Sequence, residues 1–222
     1  MIARPLDVQL LNACAALLLL VSFAMLAQRR VVALVNLLAI QGGLLCMATL
    51  LLAWRSGQHH LYVSAALTFG LKVCFLPWLL YRLIRRLEVY WDTEPMLNVA
   101  GTMLTGLITV IFAFGLAQPI AALGTTAARN GLGVAVAVIF LAFITMITRR
   151  KAMSQVVGFL SMENGLFFGA MSATYGMPMI VELGVALDVL VAMLVLGVFF
   201  FQIREQFDSL DLGHLESLKE NP

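Results

Sequence analysis

The sequence carries very little charge for its length. Lysine, arginine, aspartate and glutamate make up 12% of the 222 residues, and hydrophobic residues make up 62%. Soluble globular domains contain about 25% charged residues, so this chain has too few charged side chains to cover a folded surface in water. Its composition therefore excludes a water-soluble globular fold. Nucleic-acid binding and intrinsic disorder are excluded with it, because both require a polar and charged chain.

Cysteine and histidine are also scarce, and their positions exclude several kinds of site. The three cysteines (Cys14, Cys46 and Cys74) lie separately in apolar runs, which gives neither a disulfide framework nor a zinc or iron–sulfur site. We expect them to be small packing residues. All three histidines fall outside the apolar runs, where haem ligands would have to lie, and no nucleotide or zinc-hydrolase motif occurs. We therefore expect no metal and no cofactor.

Long apolar runs are what the sequence has in quantity. A membrane-spanning helix needs roughly 20 apolar residues, and polar residues divide this chain into seven such runs. The predicted spans are residues 8–27, 31–53, 61–81, 96–117, 131–148, 153–175 and 179–202. We predict an all-α, polytopic membrane bundle of about seven helices over residues 1–203, followed by a polar tail over 204–222. The first run is long enough to span and is interpreted as a retained helix rather than a cleaved signal peptide.

Basic residues are concentrated in every second loop of this arrangement. Those that follow the first, third, fifth and seventh spans are Arg29, Arg30, Arg82, Arg85, Arg86, Arg149, Arg150, Lys151 and Arg204. The loops on the opposite side contain only Arg4, Arg55 and Arg129. Because cytoplasmic loops are the ones enriched in positive charge, we predict an N-terminus outside and a C-terminal tail in the cytoplasm.

Two stretches of the chain suggest an internal repeat. Arg29-Arg30 is followed by Gln41-Gly42-Gly43-Leu44 and then by Leu71-Lys72-Val73. Arg149-Arg150-Lys151 is followed by Glu163-Asn164-Gly165-Leu166 and then by Leu187-Asp188-Val189. These strings predict two parallel three-helix repeats, residues 8–86 and 131–203, joined by a linker helix at 96–117. Chance similarity between apolar helices is the alternative interpretation.

Three ionisable residues, Lys72, Glu163 and Asp188, lie deep inside predicted spans. A charge at the centre of a membrane helix costs on the order of 3 kcal/mol on insertion scales, so such residues usually face a bundle interior and carry function. Counting about 1.5 Å per residue from the cytoplasmic basic residues places all three, with Gln41, in one central slab of the membrane. We predict that the three ionisable residues form a proton pathway. The alternative is a structural ion pair between Lys72 and either Glu163 or Asp188.

Neighbouring polar residues are assigned supporting roles. Gln41 and Asn164 are predicted to be polar supports of the buried charges. Glu182 lies near the predicted outer interface, where it is either a solvated carboxylate at a helix end or the exit of the proton pathway. Pro77, five residues after Lys72, removes a backbone donor and is expected to open the helix locally.

Two strings in the sixth and seventh spans carry a resemblance to a known family. Gly-Phe-Leu-Ser-Met-Glu-Asn-Gly at 158–165 and Glu-Leu-Gly-Val-Ala-Leu-Asp at 182–188 resemble hydrogenase-4 component E. That family is associated with formate hydrogenlyase-type and other group 4 nickel–iron hydrogenase complexes, and the resemblance covers nearly the whole chain. The last two spans are more distantly similar to the K-type subunit of complex I and the C-type subunit of multisubunit sodium/proton antiporters. Asp188 falls where the second membrane glutamate of the K-type subunit is expected, whereas Leu160 takes the position of the first, with Glu163 one turn further on.

The resemblance implies a membrane subunit with no catalytic activity of its own, in the inner (plasma) membrane of a bacterium or archaeon. Its partners would be antiporter-like membrane subunits, a hydrogenase or oxidoreductase module, and lipid. It would join these parts, contribute a central carboxylate–lysine path and hold no redox centre. Two other functions stay open: a subunit of a multisubunit cation/proton antiporter, and a purely structural assembly subunit whose buried charges are ion pairs.

Overall fold

The computed structural model describes residues 6–57, 59–87, 98–121 and 126–174, together with Gly184, Leu190, Met193 and Gly197. Nearly all of these residues are helical. The helices are α1 (Leu6–Ala27), α2 (Val31–Ser56), α3 (His59–Thr68), a π-helical segment (Phe69–Phe75), α4 (Leu76–Leu87), α5 (Val99–Ala121), α6 (Thr126–Thr148) and α7 (Ala152–Thr174). Leu190, Met193 and Gly197 belong to a second compact unit, Val189–Pro222.

Six helices in the described part of the chain are long and apolar enough to cross a membrane. They are Val8–Ala27, Val31–Ser56, Leu61–Arg86, Val99–Pro119, Gly131–Thr148 and Ala152–Ala173. The predicted all-α, polytopic bundle is therefore confirmed. The seventh predicted span, 179–202, lies outside the described residues apart from four single positions, and so does the tail at 204–222.

The third span is longer than the sequence predicted, because α4 continues as an amphipathic helix beyond residue 81. Its buried side chains include Leu79, Leu80, Leu83 and Ile84, and its arginines at 82, 85 and 86 are exposed. The apolar stripe keeps the helix packed on the bundle while the arginines extend away from it. The arginines therefore lie where the membrane-embedded apolar stretch ends, although the helix itself continues to Leu87.

The outside of the bundle is apolar, as a protein surrounded by lipid requires. Helix α5 is the least buried of the described helices, with Ile108, Ile111 and Phe112 each at least 60% exposed. In water such a surface would drive aggregation, but in hydrocarbon it is matched to its solvent. One side of α5 packs closely on the rest of the bundle, since a Cβ added at Gly106 would lie 2.8 Å from the Leu26 side chain.

The buried residues of α1 and α2 are spaced along the chain in the same way as those of α6 and α7. Three residues of α1 and the three that follow 120 positions later in α6 meet in one apolar cluster: Cys14, Ala15 and Leu18 with Val134, Ala135 and Val138. Buried residues of α2 recur in α7 122 positions later, as the pairs Val31/Met153, Val35/Val157, Leu38/Leu160, Gln41/Glu163, Leu45/Phe167 and Thr49/Met171. The regularity covers two helices of each predicted repeat; the third helix of the second repeat lies outside the described residues apart from four single positions, so the three-helix repeat stays a prediction.

Arg149, at the end of α6, binds the carboxyl end of α1. Its side chain is 4% exposed, and its guanidinium donates to the carbonyl oxygen of Leu26 at 3.0 Å and to that of Gln28. The last carbonyls of a helix have no hydrogen-bond partner within the helix. A buried cation there donates hydrogen bonds to them and interacts favourably with the negative end of the helix dipole. Gln155 of α7 donates to the Arg149 carbonyl at 2.9 Å. Three helices are thereby tied together at the predicted cytoplasmic end.

We expect Arg149→Met to lower the free energy of unfolding by about 1–3 kcal/mol, because buried carbonyls would lose a charged donor. Arg29→Met is the matched control, since it removes a positive charge from the same predicted side but at an exposed position. It should change stability by less than about 0.5 kcal/mol. Thermal unfolding in detergent measures both, and equal losses would show that the hydrogen bonds of Arg149 contribute nothing.

Candidate functional site

Lys72 lies in a short π-helical segment, Phe69–Phe75, between α3 and α4. At the end of this segment Leu76 donates to the carbonyl of Leu71, five residues earlier. Pro77 follows with no N–H of its own, so the ladder cannot continue regularly. Where Pro77 predicted a locally opened helix, the structure has a widened turn with Lys72 near its middle. Widened turns of this kind are frequent at functional sites.

Gly42 of α2 brings the π segment unusually close. A Cβ added at Gly42 would lie 2.9 Å from the Lys72 Cβ and 3.2 Å from the Lys72 carbonyl oxygen. Glycine leaves room for this approach, because real Cβ atoms essentially never come within 3.0 Å of another side chain's Cβ. The next residue, Gly43, has nothing within 4 Å of the same added atom. The backbone of Lys72 is therefore held directly against α2.

The Lys72 side chain forms a buried ion pair with Glu163 of α7. Its Nζ lies 2.7 Å from Glu163 Oε1, and the two side chains are 3% and 1% exposed. The same ammonium donates to Asn164 Oδ1 at 3.0 Å and lies 5.6 Å from the centre of the Phe167 ring. Each charge thus has its counter-charge within hydrogen-bond distance, which lets both lie in the apolar core. The ring adds a cation–π contact.

A line of hydrogen bonds extends from this pair to α1. Asn164 Nδ2 donates to Gln41 Oε1 at 3.3 Å, and Gln41 Nε2 donates to Ser22 Oγ at 2.8 Å. The Ser22 hydroxyl donates in turn to the Leu18 carbonyl at 2.8 Å. Asn164, Gln41 and Ser22 are all buried. Four elements (α1, α2, the π segment and α7) therefore share one polar network at the predicted membrane centre, and such networks are costly unless their members are satisfied.

Four of the six residues predicted from the sequence meet in this network: Lys72, Glu163, Gln41 and Asn164. The other two, Asp188 and Glu182, lie outside the described residues. Their functional roles all remain predictions. Asn164 accepts a hydrogen bond from Lys72 and donates one to Gln41. As a polar support it therefore holds the lysine of the ion pair.

Sequence reasoning missed three contributors to the site: Ser22, Gly42 and Phe167. Ser22 is a single hydroxyl in an apolar span, and its depth relative to Arg30 is the only signal that could have pointed to it. Gly42 appeared in the repeated string, but its close contact with Lys72 depends on how two helices meet. Phe167 resembles any other aromatic residue of a membrane helix until the position of Lys72 is known.

The cysteines divide into two groups. Cys14 lies in the apolar cluster, and the buried Cys46 thiol donates to the Ala65 carbonyl at 3.4 Å. Both are packing residues, as expected. Cys74 also lies in an apolar helix but is exposed on the surface of the bundle. It lies two residues after Lys72, and its side chain falls on the outer face of the π segment.

The fold and the site together define a polytopic helical membrane protein with an ion pair and a hydrogen-bond network buried in its core. The chain matches no established model of a protein family and no solved structure. It is 35% identical over 204 residues to the uncharacterized protein Rv0085 of Mycobacterium tuberculosis, an alignment that covers 91% of this chain and 93% of that protein. The chain therefore belongs to the same family as Rv0085.

A more distant similarity links the chain to hydrogenase subunits. It is 24% identical over 161 residues to hydrogenase-4 component E of Escherichia coli, with 72% of this chain and 74% of that protein aligned. The component of the same name in Shigella flexneri gives the same values. Together with the six apolar helices, this similarity supports a multi-pass membrane subunit that belongs to a larger complex.

Proposed function

We propose that the protein is a non-catalytic integral membrane subunit of a hydrogenase-4-like, complex I-related complex. It conducts protons through its core and joins antiporter-like membrane subunits to a redox module. The observation that carries this proposal is the buried Lys72–Glu163 pair, extended by Asn164, Gln41 and Ser22 across four helical elements. The 24% identity to hydrogenase-4 component E supports the choice of complex. The protein is proposed to lie in the inner (plasma) membrane of a bacterium or archaeon.

The ion pair is suited to proton exchange without a change of net charge. The Lys72 ammonium and the Glu163 carboxylate are 2.7 Å apart, so a proton can move from Nζ to Oε1 along an existing hydrogen bond. Before the transfer the pair consists of one cation and one anion, and after it of two neutral groups. Neither state places an uncompensated charge in the apolar core, which would be the costly condition.

The remaining polar residues have positioning or relay roles in this proposal. Asn164 and Gln41 do not titrate; they hold the lysine and bridge it to Ser22, whose hydroxyl can both donate and accept. Asp188 is proposed as a third proton carrier and Glu182 as the exit from the pathway. Both assignments rest on the depth of these residues in the seventh predicted span.

The experiment replaces the carboxylates by their amides, Glu163→Gln and Asp188→Asn, in the intact complex. Proton translocation driven by the redox reaction of the complex is measured in inverted membrane vesicles, and assembly is checked by co-purification. We expect translocation to fall at least tenfold in both variants while assembly persists. Thr105→Val, a near-isosteric change on the exposed face of α5, is the control and should leave translocation unchanged. Native translocation in both assembled variants would contradict the relay.

A purely structural assembly subunit is the second candidate, and the close pairing of Lys72 with Glu163 favours it. Reversing the pair with Lys72→Glu and Glu163→Lys separates the two functions. A structural pair requires only opposite charges, so the double variant would recover both assembly and translocation. A relay depends on which side receives the proton, so the double variant would assemble without translocating.

A further inference from the structure

Ser64 of α3 is a buried hydroxyl with no partner. Its side chain is 5% exposed, and its Oγ makes no hydrogen bond within the part of the chain that the structure describes. Buried polar groups are nearly always hydrogen-bonded, so an exception calls for a physical reason. Ordered water is a common partner for such groups, because it brings both donors and acceptors to places that side chains do not reach.

Ser64 is the first member of a polar stripe on one side of its helix. Ser64, Thr68 and Lys72 follow each other at intervals of four residues and are 5%, 1% and 3% exposed. Ser64 and Thr68 both lie in α3, where side chains four residues apart are neighbours on the helix surface and are separated by about 6 Å along the axis, at 1.5 Å per residue. Lys72 follows four residues after Thr68, within the π segment. The stripe leads from the ion pair towards the beginning of α3 at His59.

A cavity lies at the same end of the bundle, but the side chains between it and the polar network are apolar. It lies between α1, α2, α6 and α7, and its polar lining residues include Asn12, Arg55 and Ser172. Below it lies the apolar cluster that contains Leu18, Leu45, Val138 and Phe167. A proton or a water molecule would have to pass these side chains to reach Gln41. The stripe on α3 instead offers a hydroxyl at each turn.

We propose that water enters at the start of α3 and occupies the Ser64–Thr68 stripe, so that these two hydroxyls line the route by which Lys72 exchanges protons with the predicted outer side. Neighbouring groups about 6 Å apart are bridged by one water molecule that makes two hydrogen bonds of about 2.8 Å. This inference rests on the proposed function, for which it supplies the access path. Ser64 and Thr68 are positioning residues for water, and Lys72 is the group that exchanges the proton.

Labelling of single cysteines tests the route in the full chain, in native membranes. The native cysteines are replaced by alanine, one cysteine is introduced at position 64, and a small, charged methanethiosulfonate reagent is added from the outer side. Such reagents react with the thiolate, which forms in water and not in lipid. Ala65→Cys is the matched control, because Ala65 is the next residue and is equally buried, but lies off the stripe.

We expect Ser64→Cys to react at least tenfold faster than Ala65→Cys. Equal rates, or reaction only when the reagent is added from the cytoplasmic side, would overturn the route. A second measurement uses translocation by the assembled complex. Ser64→Leu would fill the proposed space for water and should reduce the translocation rate at least fivefold. Ser64→Ala would leave that space open and should retain at least half of the native translocation rate.

The two proposals fail in different ways. If Glu163→Gln abolishes translocation but Ser64→Leu assembles and translocates like the native protein, the route is wrong and the relay stands. If Ser64→Cys reacts rapidly but both Glu163→Gln and Asp188→Asn translocate normally, the stripe is hydrated and the relay is wrong. Should Ser64→Leu fail to assemble, the labelling rates alone decide the route.

Discussion

Lys72→Met is expected to lower the free energy of unfolding by about 3–5 kcal/mol, because it leaves Glu163 buried without the cation 2.7 Å away. Glu163→Gln should cost less, since Lys72 keeps its hydrogen bond to Asn164 and its contact with the Phe167 ring. The double variant Lys72→Met, Glu163→Gln should recover most of the loss, because neither charge is then left alone in the apolar core. Thermal unfolding of the purified protein in detergent gives all three values.

The control for this series is Lys151→Met, which removes a lysine at an exposed position and should have little effect. The interaction energy of the pair is the difference between the double variant and the sum of the singles. If the double variant is as unstable as the sum, the two side chains do not stabilise each other. The ion pair would then contribute nothing to the free energy of unfolding, although its two atoms are close.

Gly42→Ala is expected to disrupt the site by displacing the backbone of Lys72. The new methyl group would lie 2.9 Å from the Lys72 Cβ and 3.2 Å from its carbonyl oxygen, so either α2 or the π segment must move. Overpacking of this kind costs typically about 1–3 kcal/mol. Because the displaced segment carries the lysine, we also expect proton translocation to fall at least fivefold in complexes that still assemble.

Gly43→Ala is the matched control, since it adds the same methyl group one residue later with nothing within 4 Å. Alanine favours helix over glycine by about 1 kcal/mol, so this variant should be as stable as the native protein or slightly more so. Unfolding temperature and translocation are measured side by side for both variants. If they behave alike, the close contact between α2 and Lys72 does not constrain the site.

The spans could be predicted from the sequence because a single quantity determines them. A helix that crosses hydrocarbon must present about 20 predominantly apolar residues, and both length and composition are visible in the chain itself. The prediction was less accurate at the end of the third span. There the helix continues to Arg86 because long arginine side chains can reach away from an apolar surface that still packs beneath them.

The partners within the site could be predicted only in part, for a geometric reason. Counting residues from a basic anchor gives the depth of a side chain in the membrane but not the direction in which it points around its helix. Depth alone therefore left Glu163 and Asp188 as equal candidates for Lys72. The contact with Glu163 depends on how α7 packs against the π segment, and Ser22 joins the network only because α1 lies beside Gln41.

The π segment has a consequence for how this helix tolerates changes in length. A helical turn with one additional residue behaves as an insertion that the fold has absorbed between two regular helices. Removing one residue from 69–71 would shorten the chain between Thr68 and Lys72, and because each helical residue accounts for about 100° of rotation, the lysine would turn away from the hydroxyls at 64 and 68. Removing one residue from 73–75 would leave that spacing unchanged. The alignment of the stripe with the ion pair is thus set by the three residues between Thr68 and Lys72, and loss of one of their codons is expected to abolish it without altering a side chain of either group.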